Sequence, residues 1–175
     1  MKTVAFVPVR LNSKRVKGKN LKLLGGKPLM CYVLDTLGKE IYEEFTKTID
    51  ADVYVLAHTT SPVMKVETFE NALNQIKNGE YDSAFSAEKI QTFTWFNGKP
   101  LNYELKEIPR TQTIEPVYVE TSAFFMFKRD IWKVHKQRIG FKPYVALVDK
   151  IEGVDIDWPE DFEFAEKILE TYKKK

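Results

Sequence analysis

Seven basic side chains lie within residues 10–27, and no acidic residue lies among them. They are Arg10, Lys14, Arg15, Lys17, Lys19, Lys22 and Lys27. Cations this close in sequence repel one another unless an anionic ligand or carboxylates elsewhere in the fold neutralise them. Guanidinium and ammonium groups next to Gly18, Gly25 and Gly26, which permit close backbone approach, suit a polyphosphate. The alternative interpretation is a solvated, lysine-rich loop.

Two carboxylates near the C-terminus are a second candidate for chemistry. Asp155 and Asp157 stand two positions apart in GVDIDW, so in an extended strand both side chains point to one face. Beside a phosphate-binding loop, such a pair favours Mg²⁺ held partly by protein and partly by phosphate oxygens. Surface acids, or acids that begin a helix together with Glu160 and Asp161, are the alternative.

The basic segment matches neither of two common nucleotide-binding loops. The pattern GxxxxGK[ST] is absent because Lys27 is followed by Pro28, and GxGxxG is absent as well. A P-loop and a dinucleotide-binding loop are therefore disfavoured as interpretations of this segment.

Strand and helix patterns alternate along the chain, which predicts a single Rossmann-like α/β domain over residues 1–175 with a mainly parallel sheet. The predicted strands are 3–9, 52–57, 83–87, 123–127, 144–148 and 153–156. The predicted helices begin at Pro28, span 65–77, begin near 129–131 and run from Pro159 to about Tyr172. Ligands of such sheets bind beyond the carboxyl ends of the strands. We therefore expect residues 10–27, residues 58–62 and the Asp155/Asp157 pair to meet there.

One region departs from this alternation. Segments 92–96 and 99–103 flank Asn97-Gly98, which is a strong signal for a two-residue hairpin. We expect an excursion from the sheet around residues 90–120 that acts as a dimerisation arm.

Composition excludes several classes of protein. Of the 175 residues, 43% are hydrophobic and 30% are charged, as expected for one globular domain. Lys and Arg number 27 against 25 Asp and Glu, so charge gives no case for nucleic-acid binding. The single cysteine, Cys31, excludes a disulfide framework. The apolar run in MKTVAFVPVR is too short for a signal sequence or a membrane span, so a cytoplasmic location without a membrane partner is expected.

The basic loop and the Asp pair together resemble the cytidylyltransferases that activate sialic acids and related 2-keto sugars. Their N-terminal pattern is (P/L)-A-R-x-x-S-K-x-x-x-x-K-N-x-x-x-x-x-G-K-P-L, and Val9 stands where alanine is usual. The matching residues are Arg10, Ser13, Lys14, Lys19, Asn20, Gly26, Lys27, Pro28 and Leu29. Thr60-Ser61-Pro62 resembles the family's Q-P-T-S-P turn. Arg138-Ile139-Gly140, Asp155-Ile156-Asp157 and Asp161-Phe162 resemble its C-terminal R-x-G…D-I-D-x-x-E-D-F/L.

This resemblance implies a nucleotide-diphospho-sugar transferase-like fold, a homodimer and a Mg²⁺-dependent reaction. CMP would pass from CTP to the anomeric hydroxyl of a sialic-acid-like 2-keto sugar, with release of pyrophosphate. The implied nucleotide-binding residues are Arg10, Ser13, Lys14, Lys19, Asn20 and Ser61. The implied metal ligands are Asp155 and Asp157, and the implied catalytic residues are Arg10, Lys14, Lys19 and Asp157.

The acceptor sugar would meet the segment TQTIEPVYVETSAF. The residues that resemble the family's sugar contacts are Gln112, Tyr118, Glu120, Thr121 and Ser122, and Arg110 would pair with the sugar carboxylate. Loop packing or a dimer contact is the alternative for each of them.

The chain departs from the family pattern after Lys39. Residues 40–45, EIYEEF, resemble a segment that in the family follows the third strand, yet here they follow the first predicted helix directly. A strand–helix–strand of about 30 residues or more, with an arginine that helps to hold the nucleotide, is missing. Three alternatives stay open: a truncated or inactive homologue that binds nucleotide or self-associates, a 3-deoxy-manno-octulosonate cytidylyltransferase, and a nucleotidyltransferase for another sugar.

Overall fold

The computed structural model describes residues 1–7, 15–32, 50–135 and 137–173. The predicted roles of Arg10, Ser13 and Lys14 lie outside the described residues. So does the predicted loss of a segment after Lys39.

Nine strands and three helices have defined bounds within the described residues. The strands are β1 (Thr3–Phe6), β2 (Leu23–Leu24), β3 (Lys27–Pro28), β4 (Val53–Ala57), β5 (Ser83–Ile90), β6 (Trp95–Phe96), β7 (Lys99–Pro100), β8 (Val117–Lys128) and β9 (Pro143–Val148). The helices are α1 (Val66–Lys77), α2 (Arg129–His135) and α3 (Pro159–Lys173). Residues 29–32 are also helical, and Lys19–Leu21 form a 3₁₀ turn.

The centre of the fold is a five-stranded sheet in the order β1-β4-β8-β5-β9. β1 pairs parallel with β4, and β5 pairs parallel with β9, whereas β8 runs antiparallel to both its neighbours. Four of the five strands therefore point the same way, which confirms the mainly parallel α/β sheet. The strand predicted at 123–127 is longer than expected and reversed in direction.

Strand β8 buries apolar side chains on both faces of the sheet. Phe124 and Met126 pack with Phe69 of α1 on one face, whereas Phe125 and Phe127 pack with Ile131 of α2 on the other. Alternation along one strand thus supplies two cores, because successive side chains point to opposite faces. Helices on both faces of the sheet follow from this pattern.

The strand predicted at 153–156 is wrong, because residues 154–157 have no regular secondary structure. The amide of Ile156 donates to the carbonyl of Thr60 at 2.9 Å, a single backbone hydrogen bond where strand pairing was predicted. The alternation of side chains nevertheless survives: Ile156 is fully buried, and the two neighbouring aspartates are partly exposed.

The hairpin predicted at Asn97-Gly98 is confirmed. Strands β6 and β7 pair antiparallel around the two residues, whose φ angles are 49° and 73°. Positive φ at both central positions is what a two-residue hairpin of type I′ requires. No helix in the described ranges is long and apolar enough to cross a membrane.

Gly140 is the position at which we expect an added methyl group to destabilise the fold. A Cβ there would lie 2.4 Å from Oδ1 of Asp82, and the Gly140 amide donates to Ser83 Oγ at 2.8 Å. Gly140→Ala should lower the free energy of unfolding by about 1–3 kcal/mol, as measured by urea denaturation. The cost should shrink when Asp82 is also replaced by alanine, because the clash is then relieved. Additive effects of the two substitutions would contradict this account.

Asp82 is also expected to make stability depend on pH. Burial alone would raise its pKa, but hydrogen bonds from Ser83 and from the amides of Phe141 and Lys142 outweigh that effect and hold the pKa below its ordinary value. The contribution is therefore present above the unfolded pKa of about 3.9 and is lost as pH falls through the lower folded pKa. Urea titrations of the wild type and Asp82→Asn should differ at pH 7 and converge in acid. An equal difference at both pH values would contradict the prediction.

Candidate active site

Three polar segments meet at the carboxyl end of the parallel strands. The hydroxyl of Thr59, which follows β4, donates to Oδ1 of Asn20 at 2.7 Å. The amine of Lys19 donates to the carbonyl of Ile156, the residue between the two aspartates. The basic loop, the turn at 58–62 and the Asp pair are thus in contact, as the topology predicts.

Among the described cations of the basic loop, Lys19 is the most enclosed. Only 11% of its side chain is exposed, and its Nζ lies 3.8 Å from Oδ1 of Asp157. Gly18, at φ 66°, begins the 3₁₀ turn that carries Lys19 inward. Because a buried ammonium is costly without partners, the carbonyl of Ile156 and the Asp157 carboxylate account for its position.

Ser61 offers a hydroxyl without a partner. The residue is 3% exposed, and its Oγ is buried and makes no hydrogen bond within the described part of the chain. A buried polar group left unpaired costs about 1–3 kcal/mol. Such an atom at a strand end suits a ligand hydroxyl or base edge.

Asp155 presents a second atom of this kind. Its Oδ1 is buried and has no hydrogen-bond partner among the described residues. Burial raises the pKa of the Asp155 carboxyl; a hydrogen bond from Thr60 opposes the rise, and the charge on Asp157 adds to it. The nearby charge of Lys19 opposes the rise only in part.

The donor set fits a hard divalent cation that is completed by a ligand. Magnesium prefers oxygen ligands and commonly combines one or two carboxylates with substrate phosphates. Within the described ranges, no three His, Cys, Asp or Glu side chains group closely enough to hold a metal by themselves. The unpaired Asp155 oxygen beside Asp157 is therefore compatible with Mg²⁺ that is shared with phosphate oxygens.

Arg15 and Trp158 belong to this cluster, although the sequence did not single them out as site residues. The Arg15 Nη1 lies 2.6 Å from Oδ2 of Asp157, and its guanidinium stands 4.7 Å from the centre of the Trp158 ring. Their only sequence signals were membership of the basic run and adjacency to the Asp pair.

A buried carboxylate supports the turn that leads to the Asp pair. Glu152 is 3% exposed; its Oε1 accepts the Lys65 amide at 3.0 Å, and its Oε2 lies 3.3 Å from the Lys65 amine. The Lys65 amine also donates to Asp149 at 2.8 Å, which raises the pKa of Lys65 to about 12 and lowers that of Asp149. The turn after β9 is thereby fastened to the start of α1. Sequence patterns did not predict this contact.

The predicted acceptor residues of β8 lie beside a distortion of the sheet. Ala87 pairs with Glu120 and Phe85 with Phe125, so Ser86 alone faces residues 121–124. The Ser86 hydroxyl accepts from the Ala123 amide at 3.1 Å and from the Thr121 hydroxyl at 2.8 Å. Bulges of this kind re-aim side chains next to active sites.

The remaining acceptor candidates are held in different ways. Glu120 lies 3.9 Å from Arg138, and Tyr118 is about half exposed. Ser122 has a φ of 58°, an unusual value for a residue other than glycine. The carbonyl of Gln112 accepts a hydrogen bond from the Gln91 side chain at 3.0 Å. The carbonyl of Arg110 accepts one from the Thr113 amide, also at 3.0 Å, within a turn at the base of the arm.

Comparison with known proteins gives matches to cytidylyltransferases. A family model described as cytidylyltransferase matches residues 4–44. The CMP-N,N'-diacetyllegionaminic acid synthase of Legionella pneumophila is 30% identical over 98 residues, which cover 53% of this chain and 42% of the relative. The N-acylneuraminate cytidylyltransferase of Streptococcus agalactiae is 20% identical over 214 aligned positions, covering 93% and 52%. The chain thus spans about half the length of the curated relatives it matches.

Solved structures show the same fold. A CMP:2-keto-3-deoxy-manno-octonic acid synthetase complexed with CTP superposes with a TM-score of 0.69 at 14% identity, covering 98% of this chain and all of that one. A 4-diphosphocytidyl-2C-methyl-D-erythritol synthase from Anaerococcus prevotii gives 0.60 at 11% identity, covering 96% and 97%. At these identities the likeness shows the fold alone.

The alignment with the streptococcal relative also shows that this chain is shorter than the aligned region. Its 214 positions exceed the 175 residues of this chain by 39, so at least 39 positions of the relative have no counterpart here.

Proposed function

We propose that this chain is a cytidylyltransferase that transfers CMP from CTP to the anomeric hydroxyl of a sialic-acid-like 2-keto sugar in the cytoplasm and releases pyrophosphate. One observation carries the proposal: the unpaired buried oxygen of Asp155 lies beside Asp157, which faces Lys19 and Arg15. A site that combines one unpaired carboxylate oxygen with nearby cations suits a metal-bound polyphosphate.

The nucleotide would lie over the basic loop. Lys19 contributes positive charge to the triphosphate, and the resemblance adds Arg10, Ser13 and Lys14 from the preceding segment. Asn20 and Ser61 face the ribose or the cytosine, where the unpaired Ser61 hydroxyl gains a partner. Positioning and charge neutralisation of this kind supply most of the catalysis in phosphoryl-type transfers.

The metal would be Mg²⁺, held by Asp155 and Asp157 together with phosphate oxygens. When bound, it supplies Lewis-acid polarisation of the phosphate and neutralises charge on the leaving pyrophosphate. The chain's own contribution is to hold both carboxylates in place, through the burial of Ile156 and the fastening of Glu152 to Lys65.

The acceptor would approach from the distorted end of β8. Tyr118, Glu120 and Thr121 occupy that end, and we assign them, with Gln112, to the sugar. Two relatives named for acylneuraminate and legionaminic acid favour a nine-carbon 2-keto acid. A short match to a 3-deoxy-manno-octulosonate cytidylyltransferase from Hydrogenovibrio crunogenus, 46% over 39 residues, keeps that acceptor as the alternative.

Pyrophosphate release tests the function directly. Purified full chain with CTP and Mg²⁺ should release pyrophosphate only when a 2-keto sugar acid is added, and a panel of N-acetylneuraminate, legionaminate and 3-deoxy-manno-octulosonate identifies the acceptor. ATP, GTP and UTP in place of CTP serve as controls. Absence of turnover with every acceptor would overturn the enzymatic proposal.

A second candidate is a homologue that binds nucleotide without turnover. It is favoured by the 39 or more positions that the streptococcal relative has and this chain lacks. An increase in melting temperature with CTP and Mg²⁺, but no pyrophosphate release, would select this function over the first.

The arm is proposed to join two copies of the chain. It exposes a set of large apolar side chains, and surfaces of this kind commonly mark protein interfaces. They are Trp95, Phe96, Leu101, Leu105 and Ile108, each more than half exposed.

Replacing Phe96 by aspartate should weaken that dimer. Buried aromatic side chains dominate interfaces, so we expect the dissociation constant to rise by about tenfold or more. Analytical ultracentrifugation measures it, and Val134→Asp on α2, where Val134 is 70% exposed, is the matched control. A dimer unaffected by Phe96→Asp, or a monomeric wild type, would refute the assignment.

A further inference from the structure

Arg15 is fixed between a carboxylate and an aromatic ring. Its Nη1 contacts Oδ2 of Asp157 at 2.6 Å, and its guanidinium lies 4.7 Å from the centre of the Trp158 ring. Arginine in such a place gains from both a charge-assisted hydrogen bond and a cation–π contact. Half of its side chain is nevertheless exposed, so the group can leave without unfolding the loop.

The segment that contacts Arg15 is held by hydrogen bonds to α3. The carboxylate of Asp161, in the first turn of α3, accepts the amides of Asp157 at 2.9 Å and of Trp158 at 2.7 Å. Ile156, directly before them, is fully buried against Phe162. The backbone of Asp157 and Trp158 is therefore held by the helix, and the half-exposed side chain of Arg15 is the less constrained partner.

Both oxygens of Asp157 face positive charge. Arg15 lies at Oδ2, and Lys19 lies 3.8 Å from Oδ1. A divalent cation shared by Asp155 and Asp157 would meet these two charges at close range and be repelled. Lys19 is enclosed and bound to the carbonyl of Ile156, whereas Arg15 is half exposed. Arg15 is therefore the cation that must move.

We propose that Arg15 is the counter-ion of Asp157 in the nucleotide-free protein and that it transfers to the phosphates when nucleotide and divalent cation bind together. The inference rests on the metal site of the proposed function. Without nucleotide, Arg15 competes with the metal for Asp157; with nucleotide, the phosphates attract Arg15 and the carboxylate is released. Arg15 is thus a positioning residue that makes metal binding depend on nucleotide, and by linkage the reverse.

Lys17 provides a matched control for the charge. It belongs to the same basic loop, is exposed, and forms no ion pair with the described residues. Lys17→Gln and Arg15→Gln each remove one positive charge from the loop, but only the second removes the contact to Asp157.

The test is a titration of the full chain with Mn²⁺ alone. Electron paramagnetic resonance measures the concentration of free Mn²⁺ at each step and so gives the dissociation constant. Arg15→Gln should bind Mn²⁺ about three- to fivefold more tightly than Lys17→Gln, in keeping with a partly exposed ion pair. In a separate titration with CTP and Mg²⁺, Arg15→Gln should bind CTP more weakly than Lys17→Gln by a similar factor. A role limited to packing would not move the two affinities in opposite directions.

The outcomes separate this inference from the function on which it rests. If Asp155→Asn leaves Mn²⁺ affinity unchanged, the metal site itself is wrong. If Asp155→Asn abolishes Mn²⁺ binding but Arg15→Gln and Lys17→Gln bind the ion equally, the metal site stands and the counter-ion role of Arg15 is overturned. Tighter Mn²⁺ binding and weaker CTP binding in Arg15→Gln alone would support it.

Discussion

Pyrophosphate release from CTP should fall by about a hundred- to a thousandfold when Asp157 is replaced by asparagine, the loss expected when one preorganised charge is removed from a transition state. The substitution leaves the shape of the side chain and removes the charge that would neutralise the metal. Asp155→Asn should have an effect of similar size, because its buried Oδ1 has no other described partner.

The fold should survive the Asp157 substitution. The Asp157 side chain is 49% exposed, and exposed ion pairs such as the one with Arg15 contribute only about 0–1 kcal/mol to stability. Asp130→Asn, at an exposed position in the first turn of α2, is the matched control and should turn over like the wild type. Unchanged turnover in Asp157→Asn would remove Asp157 from the metal site, and loss of turnover through unfolding would be visible as a lower melting temperature.

The largest effect on stability is expected at Phe124. This side chain is fully buried in β8, and its ring centroid lies 4.6 Å from that of Phe69 on α1. Phe124→Ala removes the ring from the centre of one core and should lower the free energy of unfolding by about 3–5 kcal/mol. Single domains are stable by only about 5–15 kcal/mol, so the variant should be marginal.

Urea denaturation followed by circular dichroism measures the change. Phe164→Ala is the control, since Phe164 is 53% exposed on α3 and should change the unfolding free energy by less than about 0.5 kcal/mol. If the two variants unfolded at the same urea concentration, Phe124 would not hold the sheet to α1.

The positions of most strands and helices could be predicted from the sequence. The run around Phe124 and Phe125 predicted a strand, and Asn97-Gly98 predicted a hairpin, because both signals are local. The reversed direction of β8 is not local. It depends on which strands neighbour it, and side-chain alternation is the same in either direction.

Site residues could be predicted from the sequence where the type of side chain alone indicates a role in the site. Lys19 and the Asp pair were expected together, and they lie in contact. The contacts of Arg15 were not predictable, because Arg15 and Lys17 differ little as charges in an irregular loop without periodicity. Glu152 was missed for the opposite reason: nothing in its neighbourhood indicates burial until Lys65 is known to face it.

The strand assigned to residues 153–156 shows a further limit. Alternating side chains were interpreted as a strand, whereas the segment forms no ladder and is bonded to the carbonyl of Thr60, in the turn after β4. Alternation requires only an extended chain, and hydrogen-bonded neighbours are needed to make that chain a strand.

The contact between the basic loop and the Asp pair joins residues that are translated early to residues that are translated late. Arg15 and Asp157 are 142 positions apart, and Lys19 and Ile156 are 137 apart. At about 5–20 residues per second, Lys19 is synthesised roughly 7–27 s before the carbonyl that it binds exists. Until then this loop is a cationic segment without its counter-charges, open to cellular polyanions and proteases. A nascent chain stalled before residue 155 should therefore be cut in this loop by trypsin, whereas the released protein should resist cleavage at Lys19.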